Sequence, residues 1–162
     1  MKRGWCKLPS FKKGENNMSC NRRYQKSTLN AFTNTNLAIA VNDLIKFANY
    51  KSTGCSIDFD GGSSIRIDKP GLYHIIFNAF TVESGTGGNV IVQLMKNGVP
   101  VAGAIAEAQS GTTTDIENLM FSTIVEIPKS CDCIDNSAVF TILNSGVAAA
   151  FGNVNISIVK LC

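Results

Sequence analysis

The 162-residue sequence has little of what marks several protein classes. It contains one histidine and one tryptophan, and only 17% of its residues are charged. No apolar run approaches the roughly 20 residues that a membrane helix requires, and the amino-terminal stretch lacks the continuous apolar region of a signal peptide. We therefore expect neither membrane insertion nor export by a signal peptide. The composition is that of a folded globular domain.

Enzyme motifs are also missing. The sequence has no P-loop, no glycine-rich strand-to-helix motif and no G-x-S-x-G elbow. His74 falls in the most apolar predicted strand, where a structural histidine is commoner than a catalytic base. The carboxylate pairs Asp58/Asp60 and Asp115/Glu117 have the spacing of a polar strand face, which is usually only solvated. We expect no enzymatic activity and no cofactor.

The spacing of the cysteine and acidic residues gives little support for a metal site. Cys131 and Cys133 form the only close cysteine pair, and they lack the second pair that predicts a zinc site. These two thiols either stay reduced or form a bridge to Cys55 or Cys162. Residues 58–63 lack the remaining acidic positions of a calcium loop and predict a hairpin turn instead. No metal site is therefore predicted.

Basic residues are concentrated at the amino terminus. Residues 1–30 carry eight lysines and arginines against one acid, and residues 31–162 carry seven against eleven. We interpret 1–30 as a basic arm and 31–162 as one domain. Residues 13–18 can be encoded as a ribosome-binding site before a start codon at Met18, so 1–17 is either an untranslated leader or part of a disordered arm. Without 1–17 the net charge changes from +3 to −1, and we expect no nucleic-acid partner.

From residue 31 onward, short apolar runs alternate with turn residues, which predicts an all-β sandwich. Turns are expected at Lys69–Gly71 and Asn97-Gly98, and a flexible loop at 109–114. A helix over 101–109 is an alternative that Gly103 and Pro100 weaken. The predicted strands, about nine or ten in number, are 37–41, 44–48, 56–60, 65–68, 72–82, 89–96, 99–106, 116–127, 137–143 and 154–161.

The longest predicted strand is apolar on both faces, whereas a sandwich strand normally has one polar face. Residues 138–143 repeat this pattern. A second apolar face needs cover, and we expect another subunit to provide it, with the arm or a loop as the alternative. One face contains Leu72, His74, Ile76 and Phe80, which we predict to form the subunit interface, and the other contains Tyr73, Ile75 and Phe77.

Four short motifs occur in order along the chain: Ala31-Phe32, Pro70-Gly71-Leu72-Tyr73 before an aromatic strand, Lys96-Asn97-Gly98 and Phe151-Gly152. Together they resemble the globular head of complement subcomponent q and its tumour-necrosis-factor-like relatives. The resemblance implies a ten-strand jelly roll that forms a compact homotrimer, with its first and last strands adjacent and Phe77 in the core. Residues 129–135 depart from the Gly-Asp turn that the family often has. The suspected start at Met18 favours a bacterial or phage branch.

We accordingly predict a trimeric structural or adhesion module on a spore or cell surface or on a virion. The arm would attach it to the larger assembly, and polar loops at 84–89, 109–115 and 130–136 would bind a glycan or protein receptor. The alternative is a soluble protein that binds a sugar or calcium. The candidate binding residues are Ser84, Thr86, Asn89, Gln109, Thr112, Thr113, Asp115, Asp132 and Asn136.

Overall fold

The computed structural model describes residues 26–83, 88–110, 116–129 and 137–162, without the side chains of 82, 83 and 110. These residues form eleven strands and no helix. The strands are β1 (Thr28–Thr33), β2 (Leu37–Ile39), β3 (Asn49–Thr53), β4 (Ile57–Phe59), β5 (Ile65–Ile67), β6 (Gly71–Glu83), β7 (Gly88–Lys96), β8 (Val99–Ser110), β9 (Ile116–Ile127), β10 (Ala138–Asn144) and β11 (Ala149–Lys160).

The strands form two antiparallel sheets in a jelly-roll sandwich. Sheet A has the order β3-β1-β11-β6-β9, with β2 paired to β11, and sheet B has the order β4-β5-β10-β7-β8. The first and last strands are neighbours, paired from Thr28↔Val159 to Thr33↔Val154. The predicted all-β jelly roll is therefore confirmed, and its central strands β11 and β6 belong to sheet A.

The core lies between the sheets and follows the two-residue alternation of the strands. On β6, the side chains of Tyr73, Ile75, Phe77 and Ala79 are buried. Phe77 stacks on Phe121 of the neighbouring β9, with ring centroids 5.3 Å apart and planes 18° apart. The prediction that Phe77 faces the core is confirmed, which assigns Leu72, His74, Ile76 and Phe80 to the outer face of sheet A.

The hairpin between β7 and β8 forms at the predicted Asn97-Gly98 turn. Both residues have positive φ, 52° and 78°, as the turn that suits twisted strands requires. The helix considered for 101–109 is wrong, because this segment is part of β8 and pairs with β7 from Lys96↔Val99 to Gly88↔Ser110. β8 is the edge strand of sheet B, a position that tolerates Pro100.

Two strands begin earlier in the sequence than predicted. β1 begins at Thr28, so the predicted division between arm and domain after residue 30 falls within this strand. The buried Ser27 accepts a hydrogen bond from the Ser56 backbone N–H, which fixes the chain before β1. β11 begins at Ala149 rather than 154, because a bulge between Gly152 and Asn155 interrupts its alternation.

Two further predictions change in detail. The predicted strand at 44–48 is not a strand: Leu44 forms an isolated bridge to Leu143, and the Ile45 backbone N–H donates to the Ile142 carbonyl. β8 extends to Ser110, so Gln109 lies in a strand and not in a loop.

The cysteines are partly assigned by the structure. Cys55 is disulfide-bonded, and its partner lies outside the described residues. Cys162 is free and exposed, so it is not the partner of Cys55. Cys131 and Cys133 fall outside the described residues. Within the described ranges, no helix is long and apolar enough to span a membrane.

Candidate functional surfaces

The outer face of sheet A is an exposed surface of mixed apolar and polar residues. Leu72, His74, Ile76 and Phe80 lie along β6 on this face, which places the four predicted interface residues in one row. Phe80 is 44% exposed and Ile76 is 37% exposed. The apolar row is open to solvent in the single chain, although large side chains of this kind are usually covered.

The neighbouring strands extend this apolar row. On β9, Met120 is 64% exposed and Ile124 is 60% exposed, and both project to the same side as Phe80. Ile116 of β9 and Val159 of β11 are also exposed. Our prediction of the interface did not include these residues, because only the pairing of β6 with β9 and β11 shows that they share the face of Phe80. The apolar surface therefore spans β11, β6 and β9.

A polar cluster lies beside this apolar surface, on β1 and β11. Asn30 Nδ2 donates to Ser157 Oγ over 2.8 Å and to Asn155 Oδ1 over 3.4 Å. Asn155 Nδ2 donates back to Asn30 Oδ1 over 3.3 Å. The side chains satisfy one another, so this cluster can be covered at a smaller desolvation cost than free amides.

A depression of about 530 Å³ opens between β6, β9 and β11 on the same face. Its polar side chains are all asparagines, and its apolar ones are two phenylalanines, an alanine, a methionine and a valine. The lining residues are Phe32, Asn34, Asn78, Ala79, Phe80, Asn118, Met120, Asn153, Val154 and Asn155. Amide groups beside aromatic rings can bind a neutral polar ligand.

Two of the predicted binding residues face each other across β7 and β8. Asn89 pairs with Gln109, and the Asn89 side chain donates to the Glu107 carboxylate. Both predicted residues are exposed. The structure thus brings Asn89 and Gln109 together at one end of sheet B. The other seven candidates, Ser84, Thr86, Thr112, Thr113, Asp115, Asp132 and Asn136, lie outside the described residues.

The strand ends show how the three predicted loops are distributed. The loops at 84–87 and 111–115 join strand ends that are paired with one another, Val82↔Ile116 and Gly88↔Ser110. The segment 130–136 instead follows the end of β9, where Ile127 pairs with Gly71, at the opposite end of β6. The strand ends that flank the three predicted loops therefore lie at both ends of the sandwich.

The end of the sandwich at which β9 finishes also contains both described chain ends. Ser27 accepts a hydrogen bond from the Lys160 backbone N–H, and the Leu72 backbone N–H donates to the Cys162 carbonyl. Gly71 is required here, because its φ is +146° and a Cβ would collide with the Cys162 carbonyl oxygen. The described part of the chain therefore begins at the end of the sandwich opposite to Asn89 and Gln109.

Two ionisable side chains with shifted pKa values support turns. Slight burial raises the pKa of Asp60, but N–H donors outweigh this effect and hold the pKa below 3.8. Asp60 Oδ1 accepts from the Gly62 N–H over 2.7 Å and from the Ser64 N–H over 3.1 Å, which forms the predicted hairpin turn. Burial raises the pKa of Tyr73, whose hydroxyl donates to the Lys69 carbonyl.

Comparisons with known proteins identify the fold. No family model matches the sequence, and no curated protein matches it. The Eiger TNF structure from S. frugiperda has a TM-score of 0.62 at 7% identity, covering 86% of this chain and 94% of that chain. The zebrafish complement 1qA globular domain has a TM-score of 0.57 at 10% identity, covering 83% and 97%. PRD1 vertex protein P5 has a TM-score of 0.54 at 17% identity, covering 84% and 97%.

These likenesses confirm the fold that the sequence motifs indicated. The chain has the jelly-roll fold of tumour-necrosis-factor-like and complement-q-like heads. The vertex protein of PRD1 shows that the same fold also occurs in a vertex component. Identities of this size establish the fold alone, and function has to be argued from the surfaces.

Proposed function

We propose that this protein is a non-enzymatic homotrimeric module that has a structural or adhesive role on a spore or cell surface or on a virion. The observation that carries the proposal is the exposed group of large apolar side chains on β6 and β9, formed by Leu72, Ile76, Phe80, Met120 and Ile124. A water-exposed surface of this kind is typical of subunit contacts. The resemblance to complement-q-like heads supports three copies.

The apolar surface is central in sheet A, and this position favours a subunit over the arm as its cover. β6 and β11 lie inside the sheet, with β1 and β3 on one side and β9 on the other. Contacts across several strands can close symmetrically around an axis, and the hydrogen-bonded Asn30 cluster beside them is already satisfied. Burial of these side chains would stabilise the trimer by roughly 25 cal/mol for each Å² of apolar surface removed from water.

The two ends of the sandwich suggest separate tasks. The basic arm precedes Ser27 at the end that contains Cys162, which suits attachment to a larger assembly. Asn89 and Gln109 lie at the opposite end, together with the strand ends that flank residues 84–87 and 111–115. We propose that this distal end binds a glycan or protein receptor, because loops on a rigid sandwich commonly carry recognition. The vertex protein among the similar structures supports a virion setting.

The interface is tested by two matched substitutions. Ile76 and Val139 are both 37% exposed β-branched residues on outer faces, Ile76 in sheet A and Val139 in sheet B. We expect Ile76→Asp to give folded monomers, because a buried carboxylate without a partner is costly. Val139→Asp should remain trimeric. Light scattering measures both masses, and the proposal fails if Ile76→Asp stays trimeric or if both variants dissociate alike.

The asparagine-lined depression favours a second candidate function, a soluble sugar-binding protein. Its volume of about 530 Å³ suits a small ligand, and Asn78 and Asn118 present amides beside Phe80. In that case, a thermal-shift screen of simple sugars should show saturable stabilisation that Asn118→Ala removes. A trimer without any such stabilisation would exclude this candidate, because the subunits would cover the depression.

A further inference from the structure

Four lysines from distant parts of the sequence converge at the end of the sandwich that contains both described chain ends. They are Lys26, Lys69, Lys129 and Lys160. Gly71 lies among them: a Cβ at this glycine would be 2.9 Å from Lys160 Cε, and Lys69 is two residues away in the turn before β6. The Lys160 ammonium group is 5.7 Å from the centroid of the Tyr73 ring. Two of the lysines are therefore positioned by the start of β6.

The other two lysines reach the same place from β9 and from the chain before β1. Lys129 follows Ile127, which pairs with Gly71. Lys26 precedes Ser27, whose carbonyl accepts a hydrogen bond from the last residue of β11. Four separate segments thus bring an ammonium group to one end of the molecule, and we call these four residues the lysine cluster.

The acids near the lysine cluster are matched in large part by other cations. On sheet B, Arg66 lies opposite Asp58 and donates from Nε to Asp68 Oδ1 over 2.6 Å. On sheet A, Lys96 Nζ donates to the Glu126 carbonyl over 3.0 Å. These neighbours contribute three acids and two cations. Within the described part of the chain, none of the four cluster lysines forms an ion pair, so this end has an excess of positive charge.

The charges of the residues that the structure does not describe preserve this excess. Segment 130–136 adds two aspartates after β9, and residues 22–25 add two arginines before β1, so these charges cancel in number. Residues 1–21 add five cations and one acid where they are present. The positive charge of this end therefore does not depend on where translation begins.

The opposite end of the sandwich differs in charge. Its described charged residues include three acids, Asp43, Glu107 and Glu117. The domain is therefore polarised along its length. A charge distribution of this kind orients a protein as it approaches a charged partner, and here the lysine cluster would face a negative one.

The chemistry of the lysine cluster favours a protein as this partner. Arginine, with its planar guanidinium, is the commoner choice for phosphate and nucleic acid, and Arg66 is already bound to Asp68. The aromatic ring that contacts the cluster, Tyr73, is buried and offers no platform for stacking a base. Leu161 beside it is 47% exposed. Ammonium groups next to an aliphatic side chain suit a protein surface, which offers carboxylates and apolar groups together.

We propose that the lysine cluster attaches this protein to an acidic protein surface of the larger assembly. The inference rests on the proposed structural or adhesive function, and it names the chemistry of the attachment partner. Rotation about one axis keeps equivalent ends of the subunits on the same side, so a trimer presents three lysine clusters together. Three weak contacts then bind more tightly than one of them does alone.

The test measures binding of the full chain to immobilised polyglutamate, an acidic polypeptide, and to a DNA duplex, each at low and at moderate salt. The cluster variant combines Lys69→Glu with Lys129→Glu. The control combines Lys46→Glu with Lys51→Glu, which changes the net charge equally at exposed lysines outside the cluster. We expect the wild type and the control to bind polyglutamate, more weakly at moderate salt, and the cluster variant to lose affinity by roughly tenfold or more.

Three outcomes would overturn the inference. They are a wild type that does not bind polyglutamate at low salt, a control that loses as much affinity as the cluster variant, and tighter binding to DNA than to polyglutamate. The milder pair Lys69→Gln and Lys129→Gln should show a smaller loss in the same direction, and circular dichroism verifies that all variants are folded.

Light scattering on the same samples tests the proposed trimer separately. A monomer that binds polyglutamate through the lysine cluster contradicts the trimer alone. A trimer that does not bind polyglutamate contradicts only the role of the lysine cluster.

Discussion

Replacing Phe77 with alanine tests the assignment of the two faces of β6. Phe77 is fully buried and stacks on Phe121. Removal of a buried phenylalanine side chain costs roughly 3–5 kcal/mol, from the lost transfer energy and the remaining cavity. Whole domains are stable by only about 5–15 kcal/mol. For a chain of this size, the melting temperature should fall by about 10 °C.

The assay is urea unfolding at several protein concentrations, with Phe80→Ala as the control. Phe80 lies three residues further along β6 and is 44% exposed on the opposite face. Phe77→Ala should lose the same free energy at every concentration, because it weakens the core of each subunit. Phe80→Ala should lose stability in a concentration-dependent way, because it weakens the contact between subunits.

The result that refutes this reasoning is specific. If Phe80→Ala destabilises the diluted monomer as much as Phe77→Ala does, the faces are not as assigned. A one-residue change in strand register exchanges the two faces of β6 completely, so a mixed outcome is not expected.

Three further predictions concern the supporting structure. Asp60→Ala should cost at most about 1 kcal/mol at neutral pH by removing the exposed turn bonds from the Gly62 and Ser64 N–H groups. Because the folded state lowers the pKa of Asp60 from 3.8, this contribution is complete above pH 3.8 and is lost as the pH falls through the lower folded-state pKa, as melting curves at neutral and acid pH would show. Asn144→Ala should lower the free energy of unfolding in urea by roughly 1–3 kcal/mol, because the Nδ2 group of buried Asn144 donates hydrogen bonds to the Ala40 and Val147 carbonyls. An unchanged urea midpoint would contradict this prediction. Alkylation of the folded, unreduced protein should label Cys162 and spare Cys55, and a labelled Cys55 peptide would refute its disulfide.

The strands that could be predicted are those with strong local signals. β9 was predicted with its observed bounds, because residues 116–127 form a long strand-like run rich in apolar residues and Pro128 ends it. The turn at Asn97-Gly98 was predicted because few other residue pairs adopt two consecutive positive φ angles.

The predictions that failed concern features that depend on tertiary contacts. The segment 44–48 has a strand-like sequence but does not form a strand. Leu44 makes an isolated bridge to Leu143 of β10, and the Ile45 backbone N–H donates to the Ile142 carbonyl of the same strand. The start of β11 was missed because the bulge near Asn153, with φ of 50°, interrupts the alternation. The start of β1 was missed because the predicted boundary after residue 30 was based on the charge of the arm. The true start depends on the pairing of β1 with β11, which begins at Thr28.

The interface was predicted in part for a similar reason. The four residues on β6 follow from the alternation of one long strand, whereas Met120 and Ile124 join them only through the pairing of β6 with β9. The asparagine-lined depression combines residues from 32 to 155 in the sequence. No local pattern predicts such a site, because it exists only when distant strands become neighbours.

The central claim is that three copies associate through the outer face of sheet A. The most direct test is the mass of the wild-type protein at neutral pH, measured by sedimentation equilibrium over a range of micromolar concentrations. We predict a single species of about three times the 17.4 kDa chain mass, and dissociation to single chains when Ile76 is replaced by aspartate. A wild-type protein that is monomeric at every concentration would contradict the claim.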